Sequence, residues 1–349
     1  MKIFYAYLFK RSFIISALIL ILFVLLDLIF SLISELEDLD NKYTFLHALK
    51  YVLGTTPSNG ITFLEGACLL GVMISLGISH QEGNLNVLRS TGVAPLKIVF
   101  ISFAGPLLLI FLYLVSNEFY LKDFYSNSQI QKTLISGSDK KTNNKINWIK
   151  DRDSFLSYSL MKNSVIYNVK FLRFDEEKVL YYKMSDSAFI KDNTITFDKS
   201  LKYHSYNAES EDIYTEIFNL PLVTKIPFKN IDNLKIIEVK NIHSLIKKSD
   251  LEQDILFKAH IEKALYRNIF YPFSIMCLIL FFGSFIFGSL RDASPASRIV
   301  LSVIGAFIYK VAQDFSISFS IATNLSVLIG VITPAMLLLL VSIFFYRRI

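Results

Sequence analysis

The sequence predicts a membrane protein of mixed α and β structure: six transmembrane helices in two groups of three, with a strand-rich extracytoplasmic segment inserted between the groups. Three observations carry this reading. Of 349 residues, 53% are hydrophobic and only 19% charged, against about 25% charged in a soluble domain. The apolar residues fall in long runs toward both ends, while charges crowd the middle. That middle shows the period-two alternation of strands.

Six runs approach the roughly 20 residues a bilayer-spanning helix needs: Phe13–Ser34, Ile61–Ser79, Leu96–Val115, Ile269–Gly288, Ile299–Phe315 and Leu325–Tyr346. The fifth is interrupted by Lys310 and Gln313. The first exceeds a signal-peptide core and no small-residue cleavage site follows it, so it reads as a retained span. Orientation follows from Lys and Arg in the short loops. Lys2, Lys10 and Arg11 precede the first span, and Arg89 and Lys97 separate the second from the third. Arg291 and Arg298 separate the fourth from the fifth, and Arg347 and Arg348 close the chain. The first loop instead carries Glu35, Glu37, Asp38 and Asp40 against Lys42 and Lys50. Both termini are therefore expected in the cytoplasm, and residues of about 117–260 outside.

The external segment reads as strands. Val165, Tyr167, Val169, Phe171 and Phe174 approximate a period of two and lead into a turn at Asp175-Glu176-Glu177-Lys178. Val179–Met184 returns, and Asp192-Asn193 marks a second hairpin before Thr194–Phe197. Short strands with polar turns at this spacing indicate a sandwich or barrel. A helical stretch from about Asn241 to Tyr266 leads back to the membrane, where Tyr266, Phe270 and Tyr271 suit an interfacial aromatic belt. The expected domains are 1–116 with three spans, 117–260 outside, and 261–349 with three more.

Several functions are excluded by what these residues lack. Cys68 and Cys277 both lie in apolar runs, which leaves the polar middle without a disulfide framework. The net charge of +6 forms no arginine-rich stripe interleaved with aromatics, so nucleic acid is not an expected partner. There is no phosphate-cradling G-x-x-x-x-G-K-[ST] loop, no metal-spaced histidine cluster and no G-x-S-x-G elbow. No covalent chemistry and no cofactor are expected of this chain.

One short cytoplasmic loop stands out, Gln81 to Gly92. Asn84 suits a helix N-cap, Gly92 a helix stop, and Pro95 the first turn of the next span. About two turns of helix lie between, with Leu85 and Leu88 on one side. Such a helix either docks on a motor domain or lies in the membrane interface as a plain connector, and both readings stand on the residues alone.

An ordered set of motifs goes further. Leu69-Leu70-Gly71 followed by Asn84-Leu85-Asn86-Val87-Leu88-Arg89-Ser90-Thr91-Gly92 resembles an L-L-G…S-E-L-V-V-M-R-A-S-G stretch. Ser34-Glu35-Leu36-Glu37-Asp38-Leu39 with Tyr43 resembles D-E-L-x-D-x…Y, and Asn147-Trp148-Ile149-Lys150-Asp151 with Phe155 resembles W-L-[KR]-[DN]-G…F. Tyr266, Pro272 and Ser274, then Phe287-Gly288-Ser289-Leu290-Arg291, resemble W-x-K-x-x-x-P-x-S and F-G-P-L-R. In this order and spacing the chain resembles the LptF/LptG lipopolysaccharide-export permeases, LptG more than LptF.

The resemblance implies an inner-membrane permease subunit with a periplasmic β-jellyroll between the third and fourth spans. It implies an LptF-type permease partner, a pair of LptB-type ATPase subunits that bind the ATP and Mg, LptC, and a periplasmic LptA-type jellyroll that receives lipopolysaccharide. The coupling helix would lie at about 82–92, with Glu82, Asn84, Leu85, Leu88 and Arg89 as its ATPase-coupling residues. Three positions depart from the pattern. Asn84 stands where the family has glutamate, and Glu65 and Ser289 stand where it has proline. The alternatives are an LptF-type subunit, a permease for another lipid or lipoprotein, and a non-transporting scaffold or sensor with an external binding domain.

Charges inside spans are costly and mark partners or aqueous cavities. Asp27, Glu65 and Lys310 are the clear cases. At about 1.5 Å per residue, Asp27 lies roughly 21 Å and Lys310 about 17–20 Å above the cytoplasmic ends of their spans. Glu65 lies only about 6 Å below the outer face of a roughly 30 Å core, which is nearly the same level. The family places the first and fifth spans at the lateral gate and cavity. Lys310 is thus expected to pair with Asp27 or Glu65, or to bind a lipid phosphate as they release it; the plainer alternative is separate snorkelling to the headgroups.

Overall fold

A computed structural model describes residues 2–136, 147–151, 153–162, 164–175, 178–191, 194–198, 200–205, 214–218, 234–247, 255–287 and 295–348. The chain divides into two compact units. One comprises Met1–Ser31, Thr56–Lys122 and Asp232–Ile349, the other Leu32–Thr55 and Asp123–Ile231.

The helices are α1 (Lys2–Leu36), α2 (Phe45–Asn59), α3 (Leu64–Gln81), α4 (Asn84–Ser90), α5 (Pro95–Ser116), α6 (Lys122–Ser136), α7 (Ile236–Lys247), α8 (Ile255–Phe287), α9 (Pro295–Ala322) and α10 (Val327–Arg348). Six helical stretches among the described residues are long and apolar enough to cross a membrane: Ile3–Leu36, Phe45–Gln81, Pro95–Ile135, Lys258–Phe287, Ser297–Ala322 and Val327–Arg348. The fifth is longer than its interrupted run suggests. Lys and Gln are good helix formers, so Lys310 and Gln313 break the apolar run without breaking the helix.

The second stretch begins at Phe45 instead of Ile61. Its backbone passes through Pro57 of α2 and a tight 3-10 turn, Gly60–Phe63. Tyr113 Oη donates to the Pro57 carbonyl at 2.5 Å, and Tyr271 Oη donates to the Ile61 carbonyl at 2.7 Å. These bonds satisfy carbonyls exposed by the bend. The three aromatics of the expected belt differ in burial. Tyr271 is buried, and Tyr266 and Phe270 pack against Ala259, Ile317, Val327 and Val331.

The helical unit is built around α3, whose Leu69, Val72, Met73 and Leu76 join Ile98 and Phe103 of α5 and Ile275, Leu278 and Ile279 of α8 in one core. Small residues set the approach of α1: Ser16 lies against Gly71 and Ser12 against Gly105, the pattern that lets helix backbones close in lipid. Cys68 and Cys277 are buried here as free thiols.

The other unit holds an antiparallel sheet. Its strands are β1 (Asn147–Asp151), β2 (Ser154–Tyr158), β3 (Leu160–Lys162), β4 (Val165–Asp175), β5 (Lys178–Lys191), β6 (Thr194–Phe197), β7 (Lys202–Ser205) and β8 (Thr215–Ile217). The order is β1-β2-β4-β5-β6-β8, with β3 also on β4 and β7 also on β5. The expected hairpins are present, since Asp175 pairs with Lys178 and Lys191 with Thr194; the tips, Glu176-Glu177 and Asp192-Asn193, lie outside the described residues. A register shift at Arg173/Phe174 explains why the alternation was only approximate. A second irregularity sits at Asn168, with φ 53°, a conformation uncommon outside glycine. Around it the inward set changes parity on both strands: Ile166 pairs with Ala188, but Val169 pairs with Ser185 and Phe171 with Lys183. All six are buried.

Helices α2 and α6 stand where the sequence reading placed none. Part of α2 and most of α6 belong to the sheet-containing unit, where Lys132 of α6 gathers the first loop. Its ammonium pairs with Glu35 and, at 3.0 Å, with Asp38. It also lies over the rings of Tyr43 and Tyr51, 5.7 and 4.7 Å from their centroids. Tyr43 Oη donates to Glu35 at 2.8 Å, and Asp40 accepts from the amides of Lys42 and Tyr43. The acidic segment Glu35–Asp40 is thus a folded loop, with Tyr43 buried at its centre.

Candidate functional site

Two places gather the residues singled out in the sequence, both in the helical unit. The first is the connector between α3 and α5. Gly83 precedes α4 with φ 77°, and Gly92 follows it with φ 84°; both are left-handed positions that glycine takes without steric cost. The N-cap is therefore Gly83, and Asn84 is the first helical residue, a correction to its expected cap role. At the other end Gly92 N–H donates to the Arg89 carbonyl at 2.9 Å and Val93 N–H to the Leu88 carbonyl at 3.2 Å. This is the paired closure of a Schellman motif.

The two faces of α4 differ. Leu85 and Leu88 are buried in the helical core, so they hold the connector on its own bundle. Asn86, Val87 and Ser90 are exposed. Arg89 lies between, its guanidinium 6.0 Å from the centroid of the Phe287 ring.

Glu82, immediately before Gly83, is engaged inside the chain. Its Oε2 accepts from Arg11 Nη1 at 2.5 Å, Tyr7 Oη at 2.8 Å and Asn84 Nδ2 at 2.9 Å, and its Oε1 accepts from Arg11 Nη2 at 2.8 Å. Hydrogen bonds from Arg11 first, then from Tyr7, pull the carboxyl down to about 2. Arg11 and Tyr7 were missed as site residues. The one signal for them was topological, since Arg11 and Glu82 border spans on the same expected side of the membrane.

The second place is the group of intramembrane charges. A Cβ on Gly66 of α3 would lie 3.8 Å from the Phe23 ring of α1 and 4.0 Å from Ala306 of α9. Asp27, Glu65 and Lys310 each lie within about one helical turn (3.6 residues) of these contacts, and so share a level. They are not joined: among the described residues no ion pair within 4.0 Å links Lys310 to Asp27 or to Glu65. Asp27 Oδ2 and Glu65 Oε1 are buried without a hydrogen-bond partner. The charges that act on Glu65 are Arg267 of α8 and Lys310 and Asp314 of α9. Arg267 and Asp314, which the sequence reading passed over, stand 3.8 Å apart. The arrangement is a four-charge cluster on α3, α8 and α9, and Asp27 of α1 stands outside it.

Six apolar helices with charges held inside them, together with an antiparallel sheet, fit a multi-pass membrane protein of mixed α and β structure. The chain belongs to the family described as lipopolysaccharide export system permease LptF/LptG, whose model matches residues 6–348. It is 22% identical over 304 residues to the lipopolysaccharide export system permease protein LptG of Haemophilus influenzae, covering 84% of each chain. To the protein of the same name from Escherichia coli K12 it is 21% identical over 356 residues, covering 95% of each.

Proposed function

We propose that this chain is the LptG-like transmembrane subunit of an ATP-driven ABC exporter, which extracts lipopolysaccharide from the inner membrane and passes it to a periplasmic bridge toward the outer membrane. On this reading three spans precede and three follow a periplasmic β-jellyroll, with both termini cytoplasmic. An LptB-type ATPase pair sits under α4, binds the nucleotide and metal, and supplies all the catalysis. An LptF-type permease, LptC and an LptA-type jellyroll complete the assembly.

The observation that carries the reading is α4 itself. It is a short helix between two spans, fixed inward by Leu85 and Leu88 and presenting Asn86, Val87 and Ser90 outward. Such an element suits transmission of movement from a motor beneath it. The exposed apolar faces of α1 and α9, with Leu22, Leu25, Ile29 and Phe30 on one and Ile304, Phe307, Ile308 and Phe315 on the other, suit a permease partner or lipid. Asp27, Glu65 and Lys310 are proposed as gate residues, Lys310 either taking a lipid phosphate or closing onto one of the acids in another state of the gate.

The test is purification in mild detergent followed by identification of bound proteins and lipids. An ATPase and lipopolysaccharide are expected together, and Val87→Asp should release the ATPase. Recovery of a ligand-bound β unit with neither would favour the scaffold or sensor. At the gate, Lys310→Glu should impair transport, and Asp27→Lys or Glu65→Lys in that background should restore it; failure of both rescues rejects the pairing.

A further inference from the structure

We propose that Arg11 and Glu82 are positioning residues: their ion pair ties the start of α4 to the first span, so that movement of the connector is delivered to α1. The inference rests on the reading of α4 as the element moved by an ATPase, and it assigns Glu82 a role inside this chain instead of on the motor.

The geometry argues for a tie. Arg11 Nη1 donates to Glu82 Oε2 at 2.5 Å and Nη2 to Oε1 at 2.8 Å, the forked arrangement that fixes direction as well as distance. Tyr7, one turn below Arg11 on α1, donates to the same carboxylate and accepts from Arg11 Nη1, whose guanidinium lies 5.3 Å from the Tyr7 ring centroid. Asn84, the first residue of α4, adds a fourth donor. With four donors on two oxygens, the carboxylate has little capacity left for a cation on another subunit.

The placement argues for transmission. Glu82 sits next to Gly83, whose φ of 77° makes the turn into α4. Elsewhere α4 is held by Leu85 and Leu88 through apolar contacts, which lack the directionality of the forked pair. The pair is partly exposed, with 19% and 42% of the two side chains accessible. Exposed pairs contribute little to stability, so the value of this one lies in where it holds α1 and not in how firmly it holds the fold. The ATPase then meets the exposed Asn86, Val87 and Ser90.

The test uses the full chain assembled with its ATPase and partner permease in proteoliposomes loaded with purified lipopolysaccharide, reading lipid released per ATP hydrolysed and normalised to assembled complex. Arg11→Gln and Glu82→Gln should each lower that ratio at least threefold, and the exchange Arg11→Glu with Glu82→Arg should bring it back to within twofold of the parent. Ratios unchanged in both single variants overturn the tie. So does a fall confined to Glu82→Gln, which would make Glu82 a contact to another subunit, and so does an exchange that assembles without recovery. If the parent complex releases no lipid with ATP, the exporter reading itself fails; if it does and the variants match it, only the tie fails.

Discussion

The core of the sheet contains a lysine with no access to solvent, and removing its counter-charge should be costly. Lys183 is 0% exposed and its ammonium lies 2.5 Å from Glu216, itself 7% exposed. Arg173, at 3.7 Å, reaches the same carboxylate from the surface, and Tyr181 donates to it at 2.8 Å. Three rings, those of Tyr181, Phe197 and Tyr203, lie 5.3–5.7 Å from the ammonium. Glu216→Ala leaves that charge buried and unpaired, a loss of about 3–5 kcal/mol in comparable sites. The rings offset only about 0.5–2 kcal/mol of this, which places the net cost near 3 kcal/mol. At about 1.4 kcal/mol per tenfold, the amides of β5 and β8 should exchange roughly a hundredfold faster with deuterium in the full-length protein. Lys183→Met with Glu216→Leu removes both charges and should recover most of that protection, because apolar replacement of a buried pair is close to neutral. A single variant that exchanges within threefold of the parent, or a double variant no better than the single, would refute the reasoning.

Three further outcomes are expected. Lys132→Met should cost about 2 kcal/mol, the scale of a hydrogen bond to a charged group, and should speed deuterium exchange at the Tyr43 amide, since Glu35 and Asp38 both lose their cation; unchanged exchange there would contradict it. Glu82 should titrate at about 2 against an ordinary 4.5. The folded value is depressed, so the stabilisation is whole above pH 4.5 and is lost as the pH falls toward 2; a carboxyl carbon resonance with its midpoint near 4.5 would show that Arg11 does not hold it. Gly92→Ala places a side chain at φ 84° and should destabilise the protein by about 1 kcal/mol, visible as a lower melting temperature, whereas Asn86→Ala on the open face of α4 should leave melting unchanged.

How far the sequence could be read depended on whether the cause of a feature was local. Hydropathy found all six spans because the signal is a sum over about 20 neighbours, and β4, β5 and β6 were visible because alternation is local too. The true ends of β5, which runs to Lys191 beyond the expected Met184, were not. Nor was α6, a largely polar helix whose Lys132 finds its partners in the distant segment Glu35–Tyr51. The site shows the same division. Gly92 announces the end of α4, but its cap is Gly83 instead of the expected Asn84, and the inward turn of Leu85 and Leu88 depends on the core they meet. The pair Arg11–Glu82 joins residues 71 apart, a contact that only the folded chain creates. Composition showed that Asp27, Glu65 and Lys310 are anomalous in their spans; it could not show that Arg267 and Asp314 belong with Glu65 and Lys310.

The change of facing at Asn168 limits how this chain tolerates insertions and deletions. Because β4 and β5 switch sides together, removing one residue between Ile166 and Val169 would shift half of the strand by a single step. With Ile166 and Val169 then only two positions apart, β4 would alternate regularly while β5 kept three positions between Ser185 and Ala188, and Val169 and Phe171 would lose register with Ser185 and Lys183. The partner strand could follow only by losing a residue between Ser185 and Ala188 as well. Length changes in this sheet are therefore confined to its hairpin tips, and the two long strands must keep their residue count in step.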